Sequence, residues 1–172
     1  MTPPAARAAR LFVIFGLPGA GKTFVARRFG ARGFHVLDGD DDLPPDMRTA
    51  IARAQPVSPE MRERFMTALR AHVAALWAEH PQLVVSQTFL QQAHRAAFAR
   101  HFPDATFVLV TASDQERASR LARRPDQRLD VAYVQKMIAA FDPPVAPFVC
   151  LANTGDAKEL EREVDALVAA PA

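Results

Sequence analysis

Gly16-Leu17-Pro18-Gly19-Ala20-Gly21-Lys22-Thr23 fits the pattern G-x-x-x-x-G-K-[ST] at every position. Three of the chain's seven glycines fall within these eight residues. Glycine lets successive backbone N–H groups curl toward phosphate oxygens, and a following helix points its positive end at the same spot. In that geometry Lys22 bridges the β- and γ-phosphates and the Thr23 hydroxyl holds Mg²⁺. The motif requires a buried strand before it and a helix after it. Leu11-Phe-Val-Ile-Phe15 is a short continuous apolar run that reads as a strand buried on both faces. A helix is predicted from Lys22 to about Arg32. A chance glycine-rich turn, the competing reading, leaves this agreement of motif and context unexplained.

Outward from this stretch, strands and helices alternate. Further strands are predicted at 34–37, 83–85, 106–110 and 148–151. A short helix is predicted over 45–54. Ser58-Pro59-Glu60 opens a long one, with a capping serine, a proline in the first turn and an acid at the positive end. Met61, Phe65, Leu69, Val73, Leu76 and Trp77 follow at helical spacing, and His72 on that stripe is expected to pack or snorkel. More helices are expected at 91–101, from the capping box Ser113-Asp-Gln-Glu116 to about Arg124, at about 130–140, and after Asp156. The pattern implies an α/β domain of the P-loop NTPase type, its five-stranded parallel sheet flanked by helices. Residues 10–172 read as one domain and 1–9 as a loose tail.

Composition narrows the function. The chain has 172 residues, 49% hydrophobic and 23% charged, which excludes disordered and fibrous classes. A net charge of +2 is a weak footprint for nucleic acid. Lys22, Lys136 and Lys158 are the only lysines among 21 basic residues, so the rest are arginine, which suits phosphate and carboxylate. The single cysteine, Cys150, allows no internal disulfide and is expected to be a small buried hydrophobe. No apolar stretch approaches the roughly 20 residues that span a bilayer. The expectation is a cytoplasmic protein whose partner is a small-molecule acceptor, with no nucleic acid, no membrane, and a homodimer permitted.

The loop fixes nucleotide binding and leaves the reaction open. No N-K-x-D guanine motif is present; Asn153-Thr-Gly-Asp156 is only faintly similar. Motor and AAA ATPases are disfavoured by size and by a third strand ending in Ser86-Gln87 rather than in acids. Small-molecule kinases place their acids elsewhere, and Asp38-Gly39-Asp40 ends the second strand, where parallel sheets gather ligands. One carboxylate, Asp38, is assigned with Thr23 to Mg²⁺. The other, Asp40, is assigned to the acceptor hydroxyl as base, although the two can exchange roles. Asp41 and Asp42 are expected to face solvent. Arg117, Arg120, Arg123, Arg124 and Arg128 form a basic cluster suited to a transferring phosphoryl group. The polar break behind it, about 123–131, reads as a lid.

With these elements the chain resembles the gluconate kinase and shikimate kinase group of P-loop small-molecule kinases, and the gluconate branch more closely. That branch carries D-G-D where Asp38-Gly-Asp40 stands. Gln55-Pro-Val-Ser-Pro-Glu-Met-Arg62 is similar to its Q-P-L-[ST]-D-x-D-R segment, and Arg120-Leu-Ala-Arg-Arg124 to its R-L-x-x-R lid entry. Ala140-Phe-Asp-Pro-Pro144 resembles Q-F-D-x-x-E-x-P without the Gln and Glu. The resemblance implies ATP and Mg²⁺, Arg120 near adenine, catalytic Arg124 on the phosphates, and Arg62 over the acceptor. It also implies a substrate-binding helical region, assigned to about 41–80.

The acceptor half departs from the family. Leu43-Pro44 replaces His-Pro, and Met47-Arg-Thr-Ala-Ile51 replaces N-I-x-K-M. Ser86-Gln-Thr-Phe-Leu90 replaces S-A-L-K-R, so Phe89 and Leu90 stand where the family holds a sugar acid with cations. Phe89 is therefore a substrate-contact candidate, against simple core filling. Arg48, Arg62 and Arg95 are the remaining cations for an anionic acceptor. The leading reading is an ATP-dependent kinase transferring the γ-phosphoryl group to a hydroxyl of a small metabolite, gluconate-like or other. The alternatives are a nucleoside, shikimate-like or antibiotic acceptor, or a nucleotide-binding switch protein that has lost transfer chemistry.

Overall fold

The computed structural model describes residues 9–123 and 130–170. Five parallel strands stand in the order β2-β3-β1-β4-β5. They are β1 (Arg10–Phe15), β2 (His35–Asp38), β3 (Gln82–Ser86), β4 (Thr106–Thr111) and β5 (Val149–Ala152). The helices are α1 (Lys22–Gly30), α2 (Pro45–Ala52), α3 (Pro59–Glu79), α4 (Gln92–His101), α5 (Asp114–Ala122), α6 (Val131–Ala139) and α7 (Ala157–Ala169). β1 lies in the centre, with Val13 opposite Val85 of β3 and Phe107 of β4. From β1 the chain first builds one side of the sheet and then the other, so the strand order reverses beside β1. Ligands of such sheets sit outside the strand ends at that reversal.

Alternation along the strands fills two cores. Leu11, Val13 and Phe15 join Leu83 and Val85 against Phe65, Leu69 and Val73 of α3 and Phe98 of α4. Phe12 and Ile14 join Val84, Val108 and Val110 against Val25 and Phe29 of α1 and Leu160 and Val164 of α7. Each fully buried side chain of this size is worth about 1.5–3 kcal/mol. The helix starts read from the sequence are present. Ser58 Oγ accepts from Met61 N, Ser113 and Glu116 form the reciprocal box, and Asp156 accepts from Lys158 N and Glu159 N.

Some expectations are corrected. Cys150 is exposed, because β5 is an edge strand on which Leu151 alone is buried. Residues Gly39–Asp42 form a 3₁₀ turn, capped by the Asp38 side chain accepting from Asp40 N. Asp42 is not simply solvated: its carboxylate meets Nδ1 of the exposed His72 at 2.8 Å. His72 therefore pairs with an acid rather than packing. The first helix ends at Gly30, where Ala31 N and Arg32 N close onto Arg27 O and Phe29 O. The tail reading falls mostly on residues 1–8, outside the described residues. The lid reading falls mostly on 124–129, also outside them, which includes Arg124 and Arg128. Among the described residues no helix is long and apolar enough to cross a membrane.

Candidate active site

The loop between β1 and α1 has the backbone its glycines allow. Gly19 and Gly21 have φ of 80° and 94°. A Cβ on Gly19 would lie 2.7 Å from Arg117 O, and one on Gly21 would overlap Asn153 Nδ2. Both positions thus require glycine on conformation and on space. Ala20 N donates to Leu17 O at 3.2 Å, closing the turn. Ala20 is fully buried, and its carbonyl accepts from Asn153 Nδ2 at 2.8 Å and Arg120 Nη1 at 3.2 Å. Lys22 Nζ donates to Leu17 O at 3.2 Å and borders the cavity beside Pro18.

Three strand ends bring side chains to this loop. Thr23 Oγ1 donates to Asp38 Oδ2 at 2.9 Å, so the two residues assigned to Mg²⁺ from the sequence are adjacent. Among the described residues no cluster of three or more His, Cys, Asp or Glu could hold a metal ion by protein groups alone. A hydroxyl and one carboxylate nevertheless fit Mg²⁺, which keeps waters and takes the rest of its shell from phosphates. From the end of β3, Gln87 Nε2 donates to Asp40 Oδ1 at 3.2 Å. Gln87 Oε1 accepts from Thr88 N at 2.5 Å, which fixes the amide's orientation. From the end of β5, Asn153 reaches Ala20. In the sequence Gln87 stands only where an acid is absent, and Asn153 only begins a poor match to a guanine motif. Both sit at strand carboxyl ends, and that position was the available signal for a site role.

The arginines separate. Arg120 donates to Ala20 O and Asn153 O and pairs with Glu116, so it braces the loop's outer rim. Arg117 is buried and pairs with Asp114 at 2.6 Å, which removes it from the phosphate-binding candidates. Arg123 is exposed at the end of α5. Arg95 is also corrected. It is 4% exposed, and its guanidinium donates to Phe89 O, Leu90 O, Asp142 O and Pro143 O. Burial lowers its pKa and Asp142 opposes that shift. Arg95 is structural and meets no acceptor. Arg48 donates to Asp40 O and Asp41 O at the cavity rim. Arg62 stands half-buried in the cavity wall, with no ion-pair partner among the described residues.

Two hollows flank the loop. The first, about 350 Å³, runs from Pro18 and Lys22 past Asp40 into the space between α2 and α3. Arg62 and Phe89 line it, so the structure joins the sequence-assigned acceptor residues to the phosphate end. Phe89 fills the core and also reaches the cavity. It is buried edge-on to Phe98 at 5.2 Å, and it walls the cavity. Tyr133 of α6 closes the far side; burial raises the pKa of its phenol, and the positive Arg62 partly offsets this. The second hollow, about 340 Å³, lies between Gly19, Gly21, Phe24, Arg120, Asn153 and Gly155.

A family model described as an AAA domain matches residues 11–144. Chain length disfavours a motor or AAA ATPase activity, and this match, which is of the domain, does not contradict that. The third strand's end at Ser86-Gln87, the other ground for it, stands in the structure. A thermosensitive gluconokinase of Escherichia coli (strain K12) is 22% identical over 136 residues, covering 78% of this chain and 73% of that protein. A sugar kinase from Janibacter sp. HTCC2649 superposes with a TM-score of 0.80 at 18% identity, covering 95% of this chain and 96% of that one. A gluconokinase from Sinorhizobium meliloti 1021 gives 0.73 at 20% identity, covering 95% and 98%. The chain therefore has the α/β P-loop fold that these kinases share.

Proposed function

The chain belongs to the AAA domain family, and from that premise we propose that it is an ATP-dependent kinase acting on a hydroxyl of a small molecule. One observation carries the reading: Lys22 and Asp40 border the same cavity, which continues between α2, α3, the turn after β3 and α6. A switch protein needs the loop, but it has no use for a second compartment opening onto the γ-phosphate position. The nucleoside fits the second hollow, between Arg120, Asn153 and Phe24, with the phosphates on the loop.

The transfer follows from these positions. The acceptor oxygen attacks the γ-phosphorus in line, the bond to the β–γ bridging oxygen breaks, and ADP leaves. The acceptor's proton passes to Asp40, which Gln87 holds in place. Lys22 stabilises charge on the oxygens of the transferring group. Thr23 and Asp38 are the residues that would hold Mg²⁺, whose chemistry here is neutralisation of phosphate charge. Arg124 is proposed as a lid cation. A cytoplasmic location and a small-molecule partner remain proposals alongside it. The test is ADP formation across a panel of sugar acids, shikimate, nucleosides and ring-bearing alcohols. Acceptor-dependent turnover supports a kinase; bound ATP with no acceptor-dependent turnover supports the switch.

A further inference from the structure

The wall of the acceptor cavity is unlike a sugar-acid site. Met47, Phe65, Met66, Phe89 and Leu90 are all buried along it, and Met137 adds a further apolar surface from α6. Most polar groups at the wall already have partners. Asp40 and Gln87 bond each other, Arg48 holds the 40–41 backbone, and His94 meets Glu63 at 2.9 Å. Arg48 is engaged by backbone carbonyls, and Arg62 is the arginine of this wall whose guanidinium has no hydrogen-bond or ion-pair partner among the described residues. A polyhydroxylated acid entering this space would leave several hydroxyls unmatched, and each such loss is costly once water is gone.

Phe89 is placed there at a cost. Its φ is 49°, a left-handed conformation that a bulky residue rarely takes. The buried Arg95 holds it, donating to Phe89 O at 2.5 Å and Leu90 O at 3.2 Å. Core filling alone does not call for a buried cation clamping a strained turn. The clamp holds Phe89 in the wall of the cavity that Asp40 also borders.

Resting on the kinase reading above, we propose that the acceptor is a ring- or alkyl-bodied alcohol bearing a single anionic group. Its body lies against Phe89, Phe65 and the methionines, its anion on Arg62, and its hydroxyl at Asp40. Flexible thioethers fit varied apolar shapes, so the site tolerates differences in the body more readily than added hydroxyls.

The probes are 4-(hydroxymethyl)benzoate and 3-phenyllactate, benzyl alcohol as the uncharged counterpart, and gluconate. Each is measured for binding by calorimetry with ADP present and for turnover by ADP formation. The expected result is a kcat/KM for the aryl acids at least 10-fold above gluconate. Arg62→Met raises KM for the aryl acids about 10-fold and leaves benzyl alcohol unchanged. Phe89→Ala weakens aryl binding about 10-fold; because it also opens the core, the partly exposed Met137→Gln, which adds polarity without charge, provides a second variant with the same direction of effect. Gluconate outperforming every aryl compound overturns this inference and leaves the kinase reading standing. Aryl acids that bind in an Arg62-dependent way without turnover sustain the cavity's chemistry and overturn the kinase reading. No binding by any aryl acid overturns the inference.

Discussion

At position 22 the charge is proposed to serve phosphate rather than packing. Lys22 opens α1 with its ammonium on the Leu17 carbonyl and its stem along the cavity. Lys22→Ala should abolish ADP formation while circular dichroism and the melting temperature stay close to the parent's. Full activity in the folded variant would overturn the loop mechanism. Asp40 is the proposed base: it borders the cavity, while Asp38 accepts a hydrogen bond from Thr23. Asp40→Asn should lower kcat roughly 10²-fold, the usual value of one positioned acid–base group, with KM for ATP little changed. A defect confined to Mg·ATP binding would move the base role to Asp38. The pairing of Thr23 with Asp38 was legible because both belong to recognisable motifs. Gln87 was not legible as a site residue, since an amide after an apolar strand carries no chemistry until a carboxylate is placed beside it.

Among the elements, the turn after β3 is the one whose shape depends on a distant residue. Arg95 on α4 gathers four carbonyls from the 89–90 and 142–143 segments. Arg95→Met should destabilise the protein by about 3 kcal/mol or more, because buried carbonyls lose charged donors. It should also raise the acceptor KM, measured beside urea unfolding. A local change gives a calibration: Ser58→Ala removes only the cap of α3 and should cost about 1 kcal/mol by the same measurement. Caps of this kind were readable because their partners lie two or three residues away. The Arg95 clamp spans up to 48 positions, and spacing along the chain does not encode it.

Across the whole molecule, two ends of the sheet behave differently. The carboxyl end carries the glycine-rich loop and its cavity; at the opposite pole, where β2 begins, His35 stacks on His80 with ring centroids 4.0 Å apart. Burial, then the neighbouring His80 and His72, lowers the pKa of His35, and Glu79 only partly opposes this. The unfolded chain therefore binds a proton near its ordinary pKa of about 6.5 that the folded chain resists. Stability should be fully present well above that pH and fall as pH drops through and below it. His35→Gln should flatten melting temperature over that window. The lowered carboxyls, among them Asp46 and Asp165 beside arginines, lose their contribution at lower pH still, so the two effects separate. Nucleotide gives an independent readout: ATP at 100 times its Kd should stabilise the fold by about 2.7 kcal/mol, through a loop shared by both sides of the sheet.

The sequence by itself determined the alternation of strands and helices, the phosphate loop and the D-G-D acids. Each is written in contiguous residues whose spacing and conformational demands are local. Tertiary structure alone decided which arginines stand at a cavity and which are internal struts. Arg62, Arg95, Arg117 and Arg120 are the same residue type on similar helices, and only packing assigns one to the cavity wall, two to buried clamps and one to the loop rim. Tertiary structure likewise exposed Cys150, because whether a short apolar strand is covered depends on its place in the sheet. It also joined Phe89 to Asp40 across one cavity, a relation between segments 49 positions apart that burial and closure create and local sequence does not.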